Sequence, residues 1–138
     1  MKPDEYKQQC DNKLKQDWPQ FYSNIWTECG GGWYHILDNV AYNIRSILKF
    51  NNLPYDENIP FKFTQIKEKF GTLRLYYNHD IEDECVVGQI DAVLTFAEDM
   101  SGSICEQCGD RGRQTGGGWI VTLCSKHKQD RYAEIQEQ

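Results

Sequence analysis

Apolar residues recur every three to four positions along several stretches of the chain and every second position along one, which divides it into helices and a hairpin. Between residues 1 and 28, Leu14, Trp18, Phe21, Tyr22, Ile25 and Trp26 fall on one helical face among charged neighbours. Pro19 suits the first position of a helix over about 20 to 28, where its missing N–H has no intrahelical partner to lose. Cys29-Gly30-Gly31-Gly32 stops that helix. Trp33, Ile36, Leu37, Val40, Ala41, Ile44, Ile47 and Leu48 then mark an amphipathic helix from Trp33 to Phe50, with Asp38, Asn39, Asn43, Arg45 and Lys49 opposite. Asn51-Asn52-Leu53-Pro54 closes it, because asparagine tolerates left-handed geometry and proline disfavours continuation.

The period then changes. Phe61, Phe63, Gln65 and Lys67 alternate with Lys62, Thr64, Ile66 and Glu68, and Leu73, Leu75 and Tyr77 alternate with Arg74 and Tyr76. Two strands joined near Lys69-Phe70-Gly71-Thr72 are predicted, Gly71 supplying the positive φ of a tight turn. Glu82 or Asp83 can cap a helix through Val86, Val87, Ile90, Val93, Leu94, Ala97 and Met100, which should pack on one face of the hairpin. Further on, Cys105 to Gly109 has the form of a knuckle. Gly112 and Gly116-Gly117-Gly118 punctuate a short hairpin returning through Trp119 to Leu123, and a final helix runs from Cys124 through Ile135. Trp119 is expected to pack across that hairpin. The expected class is α+β: helices packed on a β-hairpin or small antiparallel sheet, with a C-terminal module ordered like a treble clef. The expected division is an acidic body, 1–103, and a zinc-binding module, 104–138, packed on it.

A length of 138 residues, 39% hydrophobic and 13% aromatic, suffices for a real core, while a mean hydropathy of −0.73 implies a polar surface. The charged start and the lack of a long apolar stretch predict neither a signal peptide nor a membrane span, so a reducing cytoplasm is the expected location. The net charge is −6, and residues 1 to 104 carry ten Lys/Arg against sixteen Asp/Glu, while 105 to 138 carry five against five. Tight non-specific wrapping of nucleic acid normally needs a cationic excess, which the whole chain lacks.

The strongest chemical signal is Cys105-x2-Cys108-x15-Cys124-x2-His127. Each x2 spacing lets two donors turn toward one ion, and three thiolates with one imidazole suit tetrahedral Zn²⁺ in a closed, structural site. With His127 used as a ligand, no histidine of the module is free for nuclease-type catalysis. Cys10, Cys29 and Cys85 are left as buried or semi-buried free thiols. His35 and His79 stand alone in sequence, and no nucleophile–base set accompanies them. Arg111, Arg113, Lys126 and Lys128 offer a candidate phosphate-binding edge, against which stands a solvated face neutralised by Glu106, Asp110, Asp130 and Glu134. Lys67, Glu68, Lys69 and Arg74 form a polar cluster at the hairpin turn that alternation places on the solvent side. Both glycine triplets lack the lysine of a phosphate-binding loop and read as flexible turns.

Three blocks together, Cys29-Gly-Gly-Gly-Trp33 through Asp38, Gln65 through Tyr77, and Ile104 through His127, resemble a group of small phage and prophage proteins. Those combine a glycine–tryptophan helix, a lysine–glutamate–lysine–phenylalanine–glycine hairpin and a C-terminal zinc-binding end. The resemblance implies action inside a bacterial host, and by analogy a non-enzymatic protein that binds a host protein, with inhibition of defence or of nucleic-acid processing in view. Nucleic-acid binding through the four C-terminal cations is the alternative, and an enzyme is not expected.

Overall fold

A computed structural model describes residues 1–137; Gln138, part of the expected C-terminal module, lies outside the described residues. In chain order the elements are α1 (Pro3–Asp17), α2 (Pro19–Tyr22), β1 (Thr27–Glu28), a 3-10 turn (Gly31–Trp33), α3 (Tyr34–Phe50), β2 (Phe61–Lys69), β3 (Thr72–His79), α4 (Glu84–Ser101), β4 (Arg113–Gln114), β5 (Thr122–Leu123) and α5 (Ser125–Glu137). The class is α+β, with helices on a small mixed sheet. None of the described helices is long and apolar enough to cross a membrane.

The core lies between α3, α4 and one face of the sheet. Leu37, Val40, Ala41, Ile44 and Leu48 from α3 meet Val86, Ile90, Leu94 and Ala97 from α4, and both sets cover Phe61, Phe63, Ile66, Leu73 and Leu75. The helical period of the first two sets makes a single buried stripe on each helix. Asp83 caps α4 by accepting from the Cys85 amide at 2.9 Å. Asn52 ends α3 in the left-handed region at φ 57°, and Leu53 donates back to the Leu48 carbonyl. The β2–β3 turn is tighter than Gly71 alone implies: Phe70 (φ 54°) and Gly71 (φ 81°) are both left-handed, as a two-residue hairpin loop demands.

Three expectations are corrected. The segment 20 to 28 is not one helix: α2 stops at Tyr22, and Thr27–Glu28 instead pairs parallel with Ile66–Lys67, so the sheet is mixed, ordered β1-β2-β3. Strict alternation along β2 fails at Thr64, where the register shifts between Phe63 and Gln65. The extra residue of that bulge returns Ile66 to the core, fully buried, and turns Gln65 and Lys67 to the other face. The return strand of the C-terminal hairpin is limited to Thr122–Leu123, and Trp119 is 75% exposed rather than packed across it.

Both edges of the three-stranded sheet are occupied by side chains. On the β1 side Lys7 donates to the Thr27 carbonyl at 2.7 Å, to its hydroxyl at 2.9 Å and to Asp11 at 2.9 Å, while the Thr27 hydroxyl donates to Asp11 at 2.6 Å. On the β3 side the Leu73 amide donates to Ser101 Oγ at 2.8 Å and the Leu75 amide to Glu98 at 2.9 Å. Strand pairing with another chain is blunted at both edges.

Candidate metal centre

The knuckle is built by its own amides. Cys105 donates its N–H to the Asp110 carbonyl at 2.7 Å and accepts from Gly109 at 2.9 Å, with Gly109 left-handed at φ 85°. The Asp110 amide points at Cys108 Sγ from 3.5 Å, a contact that favours thiolate. Glu106 donates its amide to the Thr122 carbonyl at 3.0 Å, tying the knuckle to β5. Cys124 follows β5 directly, and His127 stands in the first turn of α5, which Lys128 begins by donating to the Cys124 carbonyl at 2.9 Å.

These elements bring all four sequence-predicted ligands together. Their donor atoms lie within 4.8 Å of one another. Cys108 Sγ and Cys124 Sγ are 3.8 Å apart, Cys105 Sγ and His127 Nδ1 3.6 Å, and Cys124 Sγ and His127 Nδ1 3.2 Å. Tetrahedral bonds of about 2.3 Å to sulfur and about 2.0 Å to nitrogen separate sulfurs by about 3.8 Å and sulfur from nitrogen by about 3.5 Å. The donor set therefore fits one small divalent ion, with Nδ1 as the imidazole atom turned inward. No described cysteine is in a disulfide.

Protonation differs across the set. Burial pushes the Cys108 thiol up to about 12, with the neighbouring Cys105 adding to the rise and the Asp110 amide opposing it. Burial acts upward on Cys124 too, but the amide and ring of His127 outweigh it and hold this thiol down to about 7. Three thiols this close cannot all ionise on their own, and a divalent cation is what lets them.

The first glycine triplet has a role that its sequence does not announce. It is the close-packed seat of the knuckle, not a flexible turn. Gly30 N–H donates to the Glu106 carboxylate at 2.8 Å, Gly32 N–H to the Glu106 carbonyl at 2.7 Å, and the Trp33 indole to the Ile104 carbonyl at 2.8 Å. A Cβ on Gly32 would stand 2.1 Å from the Cys105 carbonyl oxygen, and one on Gly31 3.0 Å from the Lys7 Cα. The triplet is thus pressed between α1 and the knuckle. Trp33, fully buried, anchors it in the core. On the other side the Thr122 hydroxyl donates to the Gly71 carbonyl at 2.5 Å, joining β5 to the β2–β3 turn.

The remaining candidates are dispersed. Arg111 and Arg113 are exposed on the β4 side, Lys126 lines a groove with Tyr6, Glu106 and Asp130, and Lys128 lines a different one beside Gly116 to Trp119. Two helix positions apart, Lys126 and Lys128 face different ways. The four cations do not line one surface recess. His35 lies edge-on to Tyr34 on the exposed side of α3, and His79 Nδ1 accepts from the Ile81 amide at 3.1 Å. Cys10 and Cys29 are buried as expected, whereas Cys85 is exposed. Glu68 leaves the polar cluster of the turn by accepting from the Gly71 amide at 2.7 Å, while Lys67 and Arg74 sit directly opposite each other across β2 and β3.

The fold and site define an α+β domain whose C-terminal end carries a Cys3His group able to hold a metal ion. No protein-family model, no curated protein and no solved structure matches the chain.

Proposed function

We propose that the chain is a non-enzymatic binding protein of phage origin that holds a structural zinc in a treble-clef module and engages a host protein in the bacterial cytoplasm. The observation that carries this reading is the pairing of a four-donor Cys3His set with a Trp119 that stands 75% exposed on the loop between β4 and β5. Four protein donors complete a tetrahedral ion and leave no position for a substrate, so the metal serves the shape of the loop and α5. Zinc suits three thiolates and one imidazole better than the hard cations, which prefer oxygen. The order of knuckle, β4–β5 and α5, with the last ligands around the start of the helix, supports the treble clef.

Beside Trp119 runs a groove between the start of α1, the knuckle and α5, lined by Asp4, Asp130 and Glu134 together with Lys126 and Arg131. An exposed tryptophan beside a groove of mixed charge suits a protein surface, and the acidic balance of the body favours a basic one. Nucleic acid held by Arg111, Arg113, Lys126 and Lys128 has less behind it, because those side chains are not gathered. The test has two parts. Purified protein should contain one zinc per chain by elemental analysis, released on chelation. Wild type should retain a bacterial protein on affinity capture at moderate salt that Trp119→Ala, equally folded and equally loaded, does not. Identical capture by both proteins would sink the reading.

A further inference from the structure

The cations of the body are not spread evenly over it. Lys7, Lys13 and Arg45 are each paired with an aspartate, at 2.9, 3.0 and 2.9 Å, and these are the ion pairs found among the described residues. Lys62, Lys67, Lys69 and Arg74, by contrast, share one surface without any such partner. Strand register puts Lys62 opposite Asn78, Gln65 opposite Tyr76, Lys67 opposite Arg74 and Lys69 opposite Thr72. With Ile66, Leu73 and Leu75 in the core, these residues lie on the face of the sheet turned away from α3 and α4. Like charges directly opposite each other across two strands destabilise a sheet, and the Lys67–Arg74 pair is offset in part by Glu28, which stands opposite Lys67 on β1. Arg74 Nε is buried and has no hydrogen-bond partner among the described residues.

Aromatic groups border the same face. Tyr76 is 46% exposed and Trp26 79% exposed, and they line one shallow recess together with Asn24, Ile25, Glu28, Thr64 and Gln65. Lys15 lies 4.9 Å from the centre of the Trp26 ring, adding a fifth cation at that end. Glu28 is the acid on this face, opposite Lys67 and 3.4 Å from the Gln65 amide. Cations in a row, two exposed rings and side-chain amides between them are the parts of a platform on which unpaired bases stack while the backbone follows the charges. A duplex keeps its bases stacked internally and offers no ring to Tyr76 or Trp26. The side chains that occupy part of both sheet edges disfavour the alternative of strand addition by a peptide.

We infer that this open sheet face binds single-stranded nucleic acid, with phosphates on Lys62, Lys67, Lys69 and Arg74 and bases stacked on Tyr76 and Trp26. The site is separate from the metal module and does not rest on the host-protein reading. It also gives a role to the Lys67-Glu68-Lys69-Phe70-Gly71 block, whose lysines lie on this face and whose glutamate closes the turn.

Fluorescence anisotropy on the full-length, zinc-loaded chain tests it, with labelled oligo-dT and oligo-U of about 20 nucleotides and a duplex of equal length. Single strands should bind at low salt, with log K falling against log salt at a slope of about −2 to −3, or about −0.7 for each of three to four phosphates. The Lys62→Gln/Lys67→Gln double variant should bind at least about tenfold more weakly, with a slope shallower by about 1.4. Tyr76→Ala and Trp26→Ala should each lose at least about fivefold with the slope unchanged. Glu28→Gln should bind more tightly, and this surface change reads in the opposite direction should the double variant fold poorly. Arg111→Gln should match wild type. A preference between the two oligonucleotides would tell DNA from RNA, and either would support the inference. No binding of either strand at the lowest salt overturns it, as does a well-folded double variant that binds like wild type, or duplex binding that equals single-strand binding and ignores Tyr76→Ala.

Discussion

Gly32 has no room for a methyl group, because the Cys105 and Glu106 backbone occupies the volume that its Cβ would need, at 2.1 and 2.6 Å. Backbone of the knuckle cannot swing away as a side-chain tip would. Gly32→Ala should therefore displace the knuckle and lower stability by about 1–3 kcal/mol, the usual cost of overpacking, and weaken metal retention as well. Gly88 offers the contrast: it is in α4, and a methyl group there would meet nothing within 4 Å. Gly88→Ala should stabilise by about 0.5–1 kcal/mol through helix propensity. Thermal melts of the two variants beside wild type check both signs. The thiols divide in a similar way. Burial pushes Cys29 up to about 12, with Lys7 opposing the rise, so this thiol is protonated and enclosed at neutral pH. Cys85 is exposed beside the start of α4. With the four ligands protected by metal, iodoacetamide at pH 8 should modify Cys85 first, and peptide mass spectrometry should find Cys29 alkylated only after unfolding. Early labelling of Cys29 would contradict its burial.

At the scale of elements, β3 depends on α4 for more than apolar contact. Ser101 is fully buried, donates to the Glu98 carbonyl at 2.5 Å and accepts the Leu73 amide at 2.8 Å, while Glu98 accepts from Leu75. Ser101→Ala leaves the Leu73 N–H buried without an acceptor and should cost about 1–3 kcal/mol in denaturant unfolding. A loss within error of zero would mean that another group takes the bond. Such pairings also mark where sequence stops being informative. The α3 and α4 stripes, the Asp83 cap, the turn at Gly71 and the two close donor pairs of the Cys3His group are patterns written within a single element or short spacing, and they are where the expectations and the structure agree. β1 has only two residues, and its partner Ile66 is 39 positions from Thr27 (66 − 27), so no local period announces it. The Thr64 bulge leaves a trace, since Phe61 and Phe63 are in one phase and Ile66 in the other; a single alternation through all three puts Ile66 on the wrong side. The Gly30 to Gly32 seat is hidden for a further reason. Glycine needed for flexibility and glycine needed for close approach look identical in sequence, and only the Glu106 backbone 74 to 76 residues away (106 − 32 and 106 − 30) distinguishes them.

Across the whole molecule, the segment that carries the Cys3His group is joined to the body by a small number of hydrogen bonds, among them Gly30 and Gly32 to Glu106, Trp33 to Ile104, Thr122 to Gly71 and Gln114 to Phe70. The body, in contrast, is held by a continuous core from Leu14 to Ala97 that includes none of the four ligands. Residues 105 to 124 contribute little apolar burial of their own, with Leu123 and Cys105 the buried hydrophobic residues there. A structural zinc worth on the order of 10 kcal/mol would then supply most of the stability of this segment and little of that of the body. Hydrogen exchange with and without a strong chelator separates the two contributions. Removing metal should raise exchange at the Cys105, Glu106 and Gly109 amides, which donate within the module, and at Gly30 and Gly32, whose acceptors are both on Glu106. The helical amides of α3 and the β2–β3 ladder should keep their protection, because their acceptors and packing lie within the core. Cys108→Ser should reproduce the chelated pattern at full metal supply. Unchanged exchange at the knuckle would show that no metal supports it. Loss of protection throughout α3 would instead make the body and module a single cooperative unit, with the glycine seat as the link through which the ion stabilises the whole chain.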